Sequence, residues 1–490
     1  MVNTMKENEI QTKLQQALKQ EFGFEDFKPG QAETLTSLVE GHSILAILPT
    51  GTGKSLCYQL YGKFTHQRVL IISPLISLMQ DQVEQMKYSG ISQVVALTSK
   101  LTGQERDFVL HNLANYQFIF ASPEILQNEL IFNQIQRLQI GLLVVDEAHC
   151  IAKWGPDFRP DYLILGKIRQ LLGQPLTLAL TATATPDVEM AIKKQLRFED
   201  DSQVIRYSID RPNIFLNVEE VESETAKNDR LLELVATIQG PGLIYFSSKK
   251  KADEIVEFLS RKTSLRVAAY HADLNLEDRF SIQHQFIENQ LDVICATSAF
   301  GMGVNKKDIR YVIHYHLPAD LESYVQEIGR AGRDGQQSIA ILLYVPGDES
   351  LQYTMQIDSA PQKNEIDYYY HHPELLKDLQ DENHQFLKAF INAQISLPRL
   401  ESFFTKHRQD KSAALNQMIA YIHTDQCKRQ FILDAFKENR TVQHNEKCCQ
   451  SGPVDVALLG LEKQEQAEPR STIKMQNYRQ VLAELFAQEK

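Results

Sequence analysis

Three short segments hold residue types whose spacing points to one chemistry. The first, Leu48-Pro49-Thr50-Gly51-Thr52-Gly53-Lys54-Ser55, follows an apolar run and precedes a helix-length stretch. Gly51 and Gly53 let backbone amides close around a phosphate, with Thr50 and Thr52 in the same turn and a helix N-terminus behind it. Lys54 would reach the β- and γ-phosphates, and the Ser55 hydroxyl would ligate Mg²⁺. The strict phosphate-loop pattern fails only at its first position, where Leu48 replaces glycine. The second segment, Leu142-Leu-Val-Val-Asp146-Glu147-Ala-His149, sets two acids and a histidine at the end of a buried strand. Asp146 suits the Mg²⁺ shell and Glu147 suits a base that positions attacking water. Acids are favoured at helix starts in any case, so the weight lies in their pairing with the loop. The third, Gln326-Glu-Ile-Gly-Arg330-Ala-Gly-Arg333, spaces two arginines so that both can face a cleft. Guanidinium groups there stabilise charge on a phosphoryl group in transfer. Together these segments describe an NTPase with a site split between two units, a layout that turns hydrolysis into opening and closure.

Elements that would carry such a site alternate along residues 40–345. Strands are expected at Ser43–Leu48, Val69–Ser73, Phe118–Ala121, Gly141–Asp146 and Thr177–Leu180. A second set covers Gly242–Ser247, Val267–Tyr270, Val293–Thr297, Tyr311–Tyr315 and Ser338–Tyr344. Continuous apolar runs separated by helix-length stretches indicate parallel sheets covered on both faces. Two sets imply two α/β units, with Arg211-Pro212-Asn213 near their junction. Beyond Tyr344 the pattern turns helical, as at Gln362–Tyr370, Ser412–Ile422 and Cys427–Lys437. Gly452–Arg470 reads as a polar linker and Thr472–Gln488 as an amphipathic helix.

At 490 residues the chain has room for about three domains. Its net charge is −12, and residues 351–490 hold 17 Lys/Arg against 19 Asp/Glu, so −12 less −2 leaves −10 on residues 1–350. A broad basic footprint for nucleic acid is therefore excluded; contacts to it must be local. No apolar run approaches the ~20 residues of a membrane span, and the N-terminus has no signal-peptide core. Six scattered cysteines argue against a disulfide framework and for a cytoplasmic location.

From about Phe22 to Cys449 the segments resemble, in order, those of RecQ-type DNA helicases of superfamily 2. The resemblance implies two tandem RecA-like parallel-sheet domains (1–208, binding ATP, and 209–346). A small α-helical, RecQ zinc-binding-like subdomain (347–452) would follow, then a linker and C-terminal helix (453–490). Phe22-Gly-Phe24-Glu-Asp-Phe27-Lys28-Pro-Gly-Gln31 is similar to the adenine-reading motif, with Gln31 bonding the base, Phe24 against the ring and Lys28 where arginine is usual. Ser73-Pro-Leu-Ile-Ser-Leu-Met-Gln-Asp-Gln82 resembles a single-strand contact motif. Thr181-Ala-Thr183 and Thr297-Ser-Ala-Phe-Gly-Met-Gly-Val-Asn305 resemble motifs that couple hydrolysis to movement, their hydroxyls suited to phosphate-backbone contacts. Cys150-Ile-Ala-Lys-Trp154-Gly-Pro156-Asp-Phe158-Arg159 is similar to the aromatic-rich loop that senses single-stranded DNA. Trp154 and Phe158 would stack on bases and Arg159 would supply charge. Pro156 stands where the family has histidine, and Asp273 where it more often has glycine.

The family's four-cysteine zinc site is altered here. Cys427 matches the first ligand, and His444, Cys448 and Cys449 are the remaining candidates. Adjacent cysteines chelate one ion awkwardly, so a degenerate cluster without tightly bound zinc is the expectation. The residues after Cys449 are too few for the winged-helix and HRDC domains of longer relatives. The resemblance implies a monomeric ATP-dependent enzyme using Mg²⁺, translocating 3′ to 5′ on single-stranded DNA, acting on partly duplex DNA in recombination and repair. The C-terminal helix would cap the chain's own body or, as the alternative, bind a protein partner. An RNA-directed motor and a nucleotide-gated binding protein are the competing classes.

Overall fold

β-Branched and aromatic runs flanked by turns build two parallel sheets in the computed structural model. It describes residues 2–74, 76–98, 101–151, 162, 164–300, 306–358, 360–377, 379, 381–392 and 394–463. The first sheet holds β1 (Ile44–Ile47), β2 (Arg68–Ile72), β3 (Val94–Leu97), β4 (Phe118–Ala121), β5 (Ile140–Val145), β6 (Leu176–Thr181) and β7 (Gln203–Arg206), in the order β3-β4-β2-β5-β6-β1-β7. The second holds β8 (Ile214–Glu220), β9 (Gly242–Tyr245), β10 (Val267–Tyr270), β11 (Val293–Ala296), β12 (Tyr311–His314), β13 (Ser338–Tyr344) and β14 (Cys449–Ser451), in the order β10-β11-β9-β12-β13-β8-β14.

Alternation along each strand feeds two cores. Ile44, Ala46, Val69, Ile71, Leu142 and Val144 pack on one face of the first sheet, Leu45, Ile47, Leu70, Ile72, Leu143 and Val145 on the other. The second sheet divides likewise, with Leu243 and Val312 on one face and Ile244 and Ile313 on the opposite one. Helices cover both faces, which is why the strands read as continuous apolar runs. These are the expected RecA-like units.

Four strands escaped the sequence pattern. β3 and β7 lie at sheet edges and are only partly buried. β8 is buried but contains Asn217 and Glu219, which mask its apolar alternation. Asn217 Nδ2 donates to Gly452 O at 2.9 Å, and Glu219 pairs with Arg230 at 2.6 Å while accepting from Val454 N at 3.2 Å. The polar residues thus hold an incoming segment. That segment includes β14 and the stretch read as linker, which through Lys463 is packed instead: Val456, Leu459 and Leu461 are buried in the second unit's core. Expected residues 464–490, with the C-terminal helix, lie outside the described residues.

The helical region is one long helix, Leu397–His423, with shorter companions at Glu349–Asp358, Lys363–His371, Glu382–Asn392 and Lys428–Ala435. Leu415, Met418, Tyr421, Ile432 and Leu433 join the second sheet's core, so this region is built onto that unit. A helix at Val2–Phe22 docks Leu14 and Leu18 on the first. No helix among the described residues is long and apolar enough to cross a membrane.

Candidate active site

The loop after β1, the acids after β5 and Thr181 at the end of β6 meet at the carboxyl ends of neighbouring strands. Doubly wound sheets present ligand groups at that edge. Gly51 and Gly53 take φ of 83° and 72°, left-handed values natural for glycine, and Ser55 opens the helix Ser55–Thr65. Side chains hold the loop from behind through its carbonyls. Gln31 Nε2 donates to Thr52 O at 2.7 Å and Gly53 O at 3.0 Å, and Lys28 Nζ donates to Gly51 O at 2.8 Å. Gln31 Oε1 accepts from Lys28 N at 2.9 Å, so both of its polar atoms are engaged. Phe24 is half-exposed.

Lys54 is half-buried, its Nζ 3.3 Å from Leu48 O. Burial pulls its pKa down, and the charges of Glu147 and Asp146 push it back up. Asp146 is raised by burial first and then by Glu147, against the pull of Lys54. His149 Nδ1 stands 3.3 Å from Glu147 Oε2 and 3.1 Å from Thr181 Oγ1. Glu147 itself has φ of 48°, a strained value for a residue with a side chain.

The second unit closes over this edge. A Cβ on Gly51 would meet Arg333 Cγ at 2.9 Å, which puts Arg333 directly over the phosphate loop. At Gly329 a Cβ would meet Thr50 Oγ1 at 2.0 Å; glycine is what lets Thr50 Oγ1 reach Gly329 O at 3.1 Å. Arg333 is half-buried, and its pKa is pushed down to about 9 by loss of hydration, then by Arg330 and Arg211. Lys28 is lowered by burial and by Lys307, Arg333 and Arg211. Like-charged groups crowd one wall of the cleft, Gln326 Nε2 and Arg330 Nε are buried without hydrogen-bond partners among the described residues, and the buried Glu147 Oε2 has His149 at 3.3 Å as its ion-pair neighbour. Buried polar atoms are nearly always satisfied, so this is a cleft built for an anionic ligand with a cation.

The sequence placed Arg211 and Asn213 only near the junction of the units, and Glu322 carried no sequence signal of a role. Arg211 spans the cleft, its Nη1 donating to Thr50 O at 3.1 Å and its Nη2 to Gly332 O at 2.7 Å. Asn213 Nδ2 steadies the arginine segment through Gly332 O at 2.8 Å. Thr183 Oγ1 donates across the cleft to Glu322 Oε1 at 2.6 Å. Glu322 lies in the first turn of the helix Leu321–Ile328, which leads into Arg330 and Arg333. A continuous polar path therefore runs from Glu147 through His149, Thr181 and Thr183 to the arginine helix. Glu322→Ala is expected to lower DNA-stimulated ATP hydrolysis by roughly tenfold, the scale of one charge-assisted bond. Basal and stimulated rates measured side by side check it.

Ser73 is buried directly after β2, at the same carboxyl edge as Asp146 on the paired strand β5, and Thr297 follows β11, with Thr297 Oγ1 accepting from Ala299 N at 3.4 Å. Trp154, Pro156, Phe158, Arg159 and Asn305 lie outside the described residues. Cys427, His444, Cys448 and Cys449 converge, with their ligand atoms all within 4.8 Å of one another. Cys427 Sγ is 3.5 Å from both Cys448 Sγ and Cys449 Sγ, and Cys449 Sγ is 3.7 Å from His444 Nδ1. Ligands of a tetrahedral zinc are spaced at ~3.8 Å for Zn–S bonds of ~2.3 Å, so three sulfurs and one nitrogen fit it. The awkwardness expected of adjacent cysteines is absent: Cys448 sits in a turn, its N donating to Asn445 O at 3.0 Å, just before β14 begins.

Comparison with known proteins accords with this geometry. Residues 28–191 match the DEAD/DEAH box helicase family, 226–335 the helicase conserved C-terminal domain and 385–451 the RecQ zinc-binding family. The probable ATP-dependent DNA helicase RecS of Bacillus subtilis (strain 168) is 42% identical over 463 residues, covering 91% of this chain and 93% of that protein. The ATP-dependent DNA helicase RecQ of the same strain is 34% identical over 428 residues, covering 86% of this chain and 64% of RecQ. The fold is shared with Mycobacterium smegmatis helicase Lhr bound to ssDNA and AMP-PNP, at TM-score 0.56 and 21% identity over 66% of this chain and 46% of that one. The split cleft, the three family matches and an identity running along almost all of RecS place the chain in the RecQ family of ATP-dependent DNA helicases.

Proposed function

We propose that the chain couples ATP hydrolysis in the interlobe cleft to 3′-to-5′ movement along single-stranded DNA, opening partly duplex substrates in recombination and repair. The observation that carries the hydrolytic part is the placement of Arg333 over Gly51, with Glu147 beside Lys54 and Arg330 beside Arg333. The phosphate loop and Lys54 bind the triphosphate, and Phe24 lies beside the base, with Lys28 and Gln31 setting the shape of the loop. Ser55 and Asp146 are the residues that would hold Mg²⁺, which supplies charge neutralisation between the β- and γ-phosphates. Glu147, oriented by His149, positions the attacking water. Gln326, Arg330 and Arg333 meet the γ-phosphoryl from the second unit and stabilise its charge in the transition state.

Loss of the γ-phosphate removes the ligand that both walls share, so the units part and Thr183–Glu322 transmits the change. Ser73, Thr181, Thr183, Thr297 and Asn305 are assigned to the strand track, and Trp154, Phe158 and Arg159 to base stacking. The cysteine–histidine cluster is assigned to structural zinc. Direction and cellular role rest on family membership. Strand displacement on duplexes with a 3′ or a 5′ tail tests the proposal. Unwinding is expected only from the 3′ tail and only with hydrolysable ATP; unwinding from the 5′ tail alone would overturn the direction.

A further inference from the structure

The crossover between the sheets is held from two sides, and the two grips are joined. On the cleft side, Arg211 bonds Thr50 O of the phosphate loop and Gly329, Ala331 and Gly332 carbonyls of the arginine segment. On the opposite side, Arg429 Nη1 pairs with Asp210 Oδ1 at 2.6 Å and donates to Arg211 O at 2.9 Å. Its Nη2 donates to Cys448 O at 3.3 Å and to Ile214 O. Glu438 adds a second hold, accepting from Ser208 Oγ at 2.5 Å and Ile209 N at 2.8 Å. Asp210 and Arg429 are 5% and 7% exposed, so the pair is a buried one whose geometry is fixed by its neighbours.

Arg429 is also tied to the cysteine–histidine cluster. Cys427, the residue before the helix Lys428–Ala435, lies two positions away, and the Cys448 carbonyl binds the guanidinium directly. A metal held by Cys427 and Cys448 would fix both ends of this arrangement. A cavity lined by Thr50, Arg211, Val325, Arg429 and Ile432 lies where the three parts meet.

We propose that Arg429, Asp210 and Glu438 form a latch through which the cysteine–histidine cluster sets closure of the nucleotide cleft. Arg429 and Asp210 are positioning residues in this scheme: they hold the backbone from which Arg211 closes the cleft. The inference rests on the cleft being the nucleotide site. Because binding linkage is reciprocal, it makes two demands. Weakening the latch must weaken nucleotide binding while metal stays bound, and bound nucleotide must slow metal loss through an intact latch.

The test uses the full chain, a fluorescent non-hydrolysable ATP analogue and a colorimetric zinc chelator. Asp210→Asn and Glu438→Gln are expected to keep one zinc per chain, while the analogue's Kd rises by roughly tenfold as the closed state loses population. In the wild type, saturating analogue should slow zinc transfer to the chelator several-fold, and in Asp210→Asn it should not. A chain purified without zinc, an unchanged Kd in both variants, or zinc-loss rates indifferent to the analogue in the wild type would each overturn the latch. Should Asp210→Asn not fold, Glu438→Gln, which leaves the buried ion pair intact, carries both comparisons. Failure of the site assignment would look different: the wild type would not bind the analogue, or Lys54→Ala would keep turning over ATP.

Discussion

Lys54→Ala is expected to abolish measurable ATP turnover, a loss of at least roughly 10²–10³-fold in kcat, the scale for removing one preorganised charge from a transition state. The same change should not lower thermal stability. Burial depresses the pKa of Lys54 despite Asp146 and Glu147, so in the nucleotide-free chain its charge costs more in lost hydration than its neighbours return. Activity lost with the melting temperature kept is therefore the signature of a residue held for the ligand. Residual ATPase within tenfold of wild type would remove the phosphate-loop assignment, and unfolding would mean that Lys54 is a structural charge.

Arg333→Ala is the second large effect. An arginine that meets the γ-phosphoryl from the facing unit contributes about 10³–10⁵ in kcat. Its effect on nucleotide affinity should be much smaller, because the loop and Lys54 supply the ground-state contacts. Arg333→Lys should rescue little, since an ammonium cannot reproduce the planar fork. Loss of hydration, then the charges of Arg330 and Arg211, push the Arg333 pKa down to about 9, so this charge is held at a cost in the nucleotide-free protein. Steady-state kcat and KM for ATP, with melting curves, decide the matter. A kcat within tenfold of wild type would return Arg333 to the role of a packing residue.

The parts of this site that were legible in the sequence are those that encode their own turn. Gly51 and Gly53 shape the loop, Asp146 and Glu147 end a buried strand, and Arg330 and Arg333 flank glycines, each within a few residues. Glu322, Arg429 and Glu438 were not legible. Their partners are Thr183, Asp210 and Ser208, 139, 219 and 230 positions away, and only the docking of one unit on another selects them. β8 hid for a related reason: Asn217 and Glu219 look like surface residues until the segment after Cys448 arrives to use them. The convergence of the cysteine cluster was also hidden in the sequence. Two consecutive cysteines alternate faces only within a strand, and Cys448 stands just outside one.

The acidity of residues 1–350 now has a physical place. The cleft gathers Lys28, Lys54, Arg211, Arg330 and Arg333 near the phosphate loop, and no broad cationic face is required for that. Nucleic-acid affinity should accordingly depend only shallowly on salt.

On the proposed function, one cleft contacted from both sheets hydrolyses ATP under the control of a bound strand. The most direct measurement is the steady-state ATPase rate of the full chain without nucleic acid, with single-stranded DNA and with single-stranded RNA of the same sequence. At saturating ATP and Mg²⁺ the rate is predicted to rise at least tenfold with DNA, to rise far less with RNA, and to vanish in Lys54→Ala under all three conditions. Equal rates with and without DNA would contradict it.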